Sequence, residues 1–303
     1  MSIPPRNRRP AIRLLLCLGA AAAFVAHTGA AEAQDLNTFH EIETKYIFGN
    51  FTVGSSTGIQ GEVAFEPDTE IDFGKRGGRY MAGQTELELE YTPTQYFQIE
   101  MGPSVSYYNI QGVPGLDNRN MGSINGFEAD FRSLLIDRSP SMPFAVTASF
   151  EPEFHSLDET SGTAVWNYGL EAKLEADAEL IKNRLFLAFN LLYEPEETDA
   201  VAGGSSHEST LGVSSALAFQ IIPKVVVGGD LWYLRHYEGL AFDTFTGDAV
   251  YLGPTFFWQI APKVLISAAW EAQVAGHEVG VSSALDLTDF SRQRARLLLE
   301  FEF

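Results

Sequence analysis

Acidic side chains occur at every second position along several stretches of this 303-residue chain. Residues 62–73, with the sequence EVAFEPDTEIDF, place five acids on one face, and residues 84–91, with the sequence QTELELEY, place three. Carboxylates in such rows attract cations and repel anions. Rows of this kind on adjacent strands would also repel each other unless cations, water or basic side chains lie between them. The first chemistry that the sequence indicates is therefore cation binding.

Later segments continue the pattern, and the acidic residues greatly outnumber the basic ones on the same faces. We predict that ten of these acids line an aqueous interior and bind solute there: Glu86, Glu88, Glu90, Glu100, Glu128, Asp130, Glu151, Glu153, Glu171 and Glu175.

The alternation itself predicts β-strands, because helical periodicity would scatter the polar and apolar sets around the axis. After the strands at 61–73 and 80–91 we predict ten more, near residues 96–108, 125–137, 143–155, 164–180, 184–194, 209–222, 224–237, 248–260, 263–275 and 290–303. Most are longer than strands of soluble sheets and suit a tilted crossing of a bilayer. Aromatic residues such as Tyr91, Trp166 and Trp258 stand near strand ends on the apolar faces, as in the girdles of membrane barrels.

The connections alternate between tight turns and longer polar loops. Turns are predicted at 92–95, 138–143, 181–184, 222–224 and 261–263, and loops at 109–124, 156–163, 195–208, 238–248 and 276–290. Pro93, Pro140, Lys182, Pro223, Pro262 and Phe303 mark one rim at intervals of 39 to 47 residues, each the length of one hairpin. This spacing predicts an all-β, antiparallel up-and-down barrel of about 12 strands. Fourteen strands remain an alternative only if two strands have been merged.

The N-terminal residues divide into two parts before the barrel. Residues 1–33 combine a basic leader, a short apolar stretch and the sequence AEA, which is typical of a secretory signal peptide cleaved after Ala33. Residues 34–60 do not fit an even strand count, so we predict an N-terminal extension or a partial plug. The barrel itself is assigned to residues 61–303.

Charge and cysteine content exclude several functions. Removal of the signal peptide takes four arginines and one glutamate from 20 basic and 40 acidic residues, which leaves 16 and 39. A chain this acidic is a poor ligand for nucleic acid phosphates. The single cysteine, Cys17, lies in the signal peptide, so the mature chain can form no disulfide and no thiolate site.

The signal peptide, the alternating strands and the terminal sequence LLLEFEF together resemble the outer-membrane β-barrel proteins of Gram-negative bacteria, porin-like channels among them. The resemblance extends over nearly all of the mature chain and does not identify a subfamily. It implies a place in the bacterial outer membrane and contact with its lipid and lipopolysaccharide. It also implies that Phe303 belongs to the C-terminal aromatic signal read by the barrel-assembly machinery.

Closure of such a barrel would pair the first strand with the last. We therefore predict a closing seam facing the lumen, in which Arg292, Arg294 and Arg296 meet Asp68, Glu70 and Asp72. The alternative is that these arginines meet water, since exposed ion pairs contribute little.

No enzymatic site is predicted. The sequence HES at 207–209 resembles the histidine and serine of an outer-membrane phospholipase, but no asparagine follows for more than 80 residues. His155, His207, His236 and His277 fall near one rim with irregular spacing, so no metal site and no cofactor are predicted. The main hypothesis is a passive channel or transporter for small cationic or neutral solutes. The alternative is a non-conducting structural or surface-binding barrel, and a barrel enzyme is a distant third.

Overall fold

The computed structural model describes residues 43–139 and 141–303. The predicted signal peptide with its cleavage after Ala33, the first part of the N-terminal extension and the turn marker Pro140 lie outside the described residues. In the part of the chain that is described, no helix is both long and apolar enough to cross a membrane.

Twelve antiparallel strands form one closed barrel, which confirms the predicted fold class and strand count. Each strand pairs with its neighbours in the sequence, and β1 pairs with β12 to close the barrel. The strands are β1 Val63–Phe73, β2 Met81–Thr94, β3 Phe97–Ile110, β4 Arg119–Ile136, β5 Phe144–Leu157, β6 Ala164–Ile181, β7 Leu185–Ala200, β8 Ser205–Ile222, β9 Val225–Glu238, β10 Thr244–Ala261, β11 Val264–Glu278 and β12 Gln293–Glu302.

Alternate residues of each strand point into and out of the barrel. On β2, for example, Leu89 is 57% exposed on the outside, whereas its neighbours Glu88 and Glu90 are buried inside. The outer face carries exposed leucine, valine and aromatic side chains on all twelve strands. An apolar outer surface with buried carboxylates inside is the pattern expected of a barrel whose solvent is lipid.

Most strands run further toward the loop end of the barrel than predicted. Residues 195–208 were expected to form a loop, but β7 continues to Ala200 and β8 begins at Ser205, so only 201–204 connect them. Likewise β10 begins at Thr244, inside the predicted loop 238–248. Glycine, serine and acids are typical of loops, yet strands that extend beyond a bilayer have water on their outer face and need no apolar residues there. Connections at the turn end, such as 223–224 and 262–263, are as tight as expected.

Residues 44–55 pass through the interior of the barrel, and all of them are buried. Tyr46, Ile47 and Phe48 are at most 1% exposed. A turn brings the segment back on itself, since the Gly54 amide donates to the Lys45 carbonyl at 3.3 Å. We call residues 43–60 the lumen segment.

Candidate functional site

Three carboxylates surround the ammonium group of Lys45 at the centre of the lumen segment. Its Nζ lies 2.5 Å from Glu100 Oε1, 3.0 Å from Glu90 Oε2 and 3.4 Å from Glu66 Oε1. The acids stand on three consecutive strands, β1, β2 and β3, and the lysine side chain is 4% exposed. This arrangement resembles a cation site in a channel, with a cation supplied by the chain itself.

Neighbouring side chains complete the attachment to the acidic strands. The Tyr46 hydroxyl lies 2.9 Å from Glu66 Oε1 and 3.0 Å from Glu90 Oε2 and can donate its one proton to either carboxylate. Asn50 Nδ2 donates to Asp68 Oδ2 at 2.5 Å. The lumen segment therefore carries hydrogen-bond donors toward the carboxylates of β1, β2 and β3.

Arg132 on β4 joins the lumen segment to the barrel wall. Its guanidinium makes a two-point contact with Glu175 on β6, at 2.8 and 2.6 Å, and its Nη2 also donates to the Gly54 carbonyl at 3.0 Å. Such a planar, two-point contact is the strongest form of arginine–carboxylate pairing. It ties together two strands that are not hydrogen-bonded neighbours.

The rest of the wall satisfies the backbone of the segment. Asp177 accepts from the Ser55 amide at 2.7 Å, Asn190 from the Val53 amide at 2.7 Å and Asp230 from the Thr52 amide at 3.0 Å. On the opposite side Ser267 Oγ donates to the Tyr46 carbonyl at 2.6 Å. With these bonds the segment reaches the wall in nearly every direction, so it fills the cross-section of the lumen.

The wall formed by β7 to β12 carries two apolar clusters on its inner face, beside polar residues such as Asp230 and Glu271. Tyr46, Ile47 and Phe48 pack on alanines of β7 and β8 together with Val226, Phe257, Leu265 and Leu298. Phe51 packs in a second cluster with Trp232 and Tyr251, and the guanidinium of Arg294 lies 4.2 Å from the Phe51 ring centre. The lumen thus has an acidic half, β1 to β6, and an apolar half that holds the aromatic residues of the segment.

All ten acids predicted to line the interior lie on the inward faces of β2 to β6, and each is buried or half-buried. A cavity of about 40 Å³ remains between the lumen segment and these strands. Eight acids and four basic residues line it. Because a site of this size holds about one to three water molecules, the open space at this level is small.

Of the three arginines predicted for the closing seam, Arg296 contacts the predicted acids of β1. Arg296 lies beside Glu70 in the β1–β12 register, with Nη2 at 2.9 Å from Asp68 and Nη1 at 3.8 Å from Glu70. Arg294 stands opposite Asp72, but its Nε bonds Glu271 on β11 at 2.6 Å. Arg294 can reach β11 as well as β1, because β12 lies between these two strands. The Asp72 carboxylate instead accepts a hydrogen bond from the Ser291 hydroxyl.

The structure corrects the prediction that Arg292 lies on the last strand and meets an acid of β1. It precedes β12, its amide donates to the Gly74 carbonyl at 2.7 Å, and it makes no ion pair with any described residue. The prediction extended the strand three residues too far toward the loop end. Phe303 ends the chain with its side chain 75% exposed, and its amide donates to the Val63 carbonyl at 2.9 Å.

The histidine and serine of the HES sequence belong to β8 rather than to a loop. His207 Nε2 lies 3.7 Å from Glu197, and Ser209 donates to the Gly239 carbonyl at 2.7 Å. The histidine and the serine therefore have separate partners. His155 is buried, and its ring nitrogens contact Glu128 at 2.8 Å and Glu159 at 3.3 Å.

The loop between β11 and β12, residues 279–292, folds back over the mouth of the barrel. Lys75 donates to the Thr288 and Asp289 carbonyls at 3.0 and 3.2 Å. Asp286 is fully buried, and one of its carboxylate oxygens accepts no hydrogen bond from a described residue. Burial, with a contribution from the Asp289 carboxylate, raises the pKa of Asp286 to about 6.

We expect this loop to hold less firmly as the pH rises. Protonated Asp286 stabilises the folded loop fully below its unfolded pKa, and that stabilisation is lost as the pH rises through about 6. Protease cleavage within 279–292, measured between pH 4 and pH 8, should increase over this range. Asp286→Asn should remove the pH-dependent step, whereas Asp243→Asn, in the 239–243 loop, should retain it. A step of unchanged size in Asp286→Asn would contradict the assignment.

The barrel and its lumen segment coincide with a known sequence family. The model of a family of unknown function, DUF6662, matches residues 40–303. The chain belongs to this family. The match begins three residues before the described part of the lumen segment, so the family model covers both the segment and the barrel of this chain. No curated protein matches the chain.

Solved structures with the same fold are bacterial outer-membrane barrels. An outer membrane channel from Pseudomonas putida F1 aligns with a TM-score of 0.57 at 9% identity, covering 82% of this chain and 98% of that one. The β domain of the Bordetella autotransporter Brka aligns with a TM-score of 0.50 at 11% identity, covering 80% of this chain and 99% of that one. This member of DUF6662 therefore has the outer-membrane β-barrel fold.

Sequence reasoning missed Lys45, Asn50 and the apolar half of the lumen. The signal for the latter was present on β8, where the inward residues Ala216 and Ala218 alternate with the larger outward residues Leu217 and Phe219. Small inward residues leave space inside a barrel, and the aromatic residues at 46, 48 and 51 are what fills it.

Proposed function

We propose that the chain is an outer-membrane channel for small cationic and neutral polar solutes, closed by its own lumen segment. The observation that carries the proposal is the ammonium of Lys45 held by Glu66, Glu90 and Glu100. A row of carboxylates that binds a tethered cation also suits a free one. The acids predicted from the sequence to bind solute extend this row along β2 to β6.

Closure follows from the position of the lumen segment. Its contacts reach strands on all sides, and the cavity beside it on the acidic side is about 40 Å³. Solute passage at this level requires the segment to move. Most of its anchors are hydrogen bonds between polar groups, which water can replace, so such a movement is compatible with a stable barrel.

A non-conducting barrel is the second candidate, and the filled cross-section favours it. In that case the lumen segment is a permanent core and the acids serve only to bind it. Aromatic packing of Tyr46, Phe48 and Phe51 on the apolar half supports this alternative.

Planar-bilayer recording separates the two candidates. We expect low conductance from the full mature chain and at least a several-fold higher, cation-selective conductance after deletion of residues 43–60. The reversal potential in a salt gradient gives the selectivity. The shift in electrophoretic mobility of the folded barrel on heating checks that the deletion variant is folded. Deletion opens the lumen under either candidate, so the full mature chain decides between them: its own brief openings support the channel, and no current at all supports the permanent core. Anion selectivity would contradict the acidic lumen as the solute path.

The outer membrane supplies the remaining proposed partners. We infer that lipid covers the exposed apolar residues of the outer face and that lipopolysaccharide surrounds the loop end. We also propose that the barrel-assembly machinery reads Phe303, the exposed C-terminal aromatic residue.

A further inference from the structure

Three carboxylates in the lumen cavity have no basic partner among the described residues. The cavity is lined by four basic side chains, and each of them pairs with other acids: Lys45 with Glu66, Glu90 and Glu100, Arg132 with Glu175 and Asp130, Arg296 with Asp68, and Lys173 with Glu171. Glu86, Glu88 and Glu151 remain. These same three offer oxygen atoms that all lie within 4.8 Å of one another.

The fold brings them together across two intervening strands. Glu86 and Glu88 stand on β2 and Glu151 on β5. Between them β3 presents the small inward residues Gly102 and Ser104. A Cβ at Gly102 would lie 2.1 Å from the Leu87 carbonyl oxygen, so only glycine fits there. Larger side chains on β3 would occupy the space in which the three carboxylates meet.

Two further buried polar atoms at this place have no partner among the described residues. The Oγ of Ser104, which stands opposite Glu86 in the β2–β3 register, is fully buried and unpaired. Oδ1 of Asp130, a residue that is 8% exposed, is also unpaired among the described residues, and Asp130 lines the same cavity. Buried polar atoms without partners are rare in folded proteins and require a ligand or water. The atoms that these side chains offer to a metal ion are all oxygens, which suits a hard cation.

We propose that Glu86, Glu88 and Glu151 bind a divalent cation, with Ca²⁺ as the best fit. Oxygen atoms bound to one Ca²⁺ lie at most about 4.6 to 5.2 Å apart, because its ligands stand at about 2.3 to 2.6 Å, and the three carboxylates meet this limit. Ca²⁺ also tolerates irregular coordination, whereas Mg²⁺ requires a near-ideal octahedron. The cavity also leaves room for water to complete the coordination. The ion neutralises the repulsion between the acidic rows of β2 and β5, and its binding is independent of whether the barrel conducts.

Calorimetric titration of the full mature protein with CaCl₂ tests the site. The protein is refolded in detergent without lipopolysaccharide and treated with chelator beforehand. We expect one Ca²⁺ per chain, at least tenfold weaker binding of Mg²⁺, and no saturable binding by a variant with Glu86→Gln, Glu88→Gln and Glu151→Gln. Glu196→Gln removes an inward acid of β7 that does not line the cavity, so it should bind as the wild type does.

Thermal unfolding gives a second, independent readout. Ca²⁺ should raise the unfolding midpoint of the wild type and leave that of the triple variant unchanged. Without Ca²⁺ the triple variant should unfold at a higher temperature than the wild type at pH 7, because three like charges are gone. Absence of saturable binding by the wild type, or equal binding by the triple variant, would overturn the site. The single variant Glu151→Gln, with at least tenfold weaker binding expected, serves if the triple variant does not fold.

Discussion

Replacing Lys45 with methionine is expected to release the lumen segment from the barrel. The ammonium is the single positive charge held by Glu66, Glu90 and Glu100, and its side chain is 4% exposed. Removing one partner of a buried ion pair leaves the other charges without compensation and costs about 3 to 5 kcal/mol. Methionine keeps the volume of the side chain, so the loss is that of the charge.

Chymotrypsin reports the release directly. It cleaves after Tyr46, Phe48 and Phe51, which are buried in the wild type. We expect these bonds to be cut rapidly in Lys45→Met while the barrel strands stay intact, and the conductance to approach that of the chain lacking residues 43–60.

A control variant at another buried lysine and a compensating double variant test this prediction further. Lys75→Met removes a buried lysine of the loop end and should leave the three cleavage sites protected. Lys45→Met with Glu100→Gln removes one of the excess carboxylates and should recover part of the protection. If Lys45→Met resists chymotrypsin as the wild type does, aromatic packing holds the segment and the charge does not.

The barrel was predictable because the two faces of each strand meet different environments. One face meets lipid and the other meets the lumen, so residues such as Leu89 and Glu90 alternate strictly and reveal the strand. Beyond the bilayer this requirement ends. Residues 195–208 therefore look like a loop in sequence although β7 and β8 continue through most of them.

The contents of the lumen were much less predictable. The residues around Lys45 alternate as a strand does, and nothing local shows that the segment is buried inside a barrel formed by residues distant in sequence. Which acid pairs with which base depends on side chains reaching across strands, as Arg294 does toward Glu271. Register alone pointed to Asp72. Glu86, Glu88 and Glu151 have no basic partner among the described residues. This can be recognised only when the ion pairs of every basic residue that lines the cavity are known.

Replacing Arg132 with methionine is expected to lower the stability of the barrel as well as the protection of the lumen segment. The guanidinium joins β4 to β6 through Glu175 and holds the Gly54 carbonyl, with 3% of the side chain exposed. Its loss leaves Glu175, which is fully buried, without its two-point partner. We expect a loss of about 3 to 5 kcal/mol in the free energy of unfolding.

Urea unfolding of the refolded protein measures this loss, and comparison with other variants identifies its origin. Arg132→Lys retains the charge but cannot make the planar contact, so it should recover only part of the stability. Arg184→Met removes an exposed arginine at the β6–β7 turn and should cost less than about 1 kcal/mol. Lys45 belongs to the lumen segment, whereas Arg132 also joins β4 to β6. Arg132→Met should therefore still lower the unfolding free energy of a chain that lacks residues 43–60. An equal unfolding free energy for that shortened chain with and without Arg132→Met would show that the arginine serves the lumen segment alone.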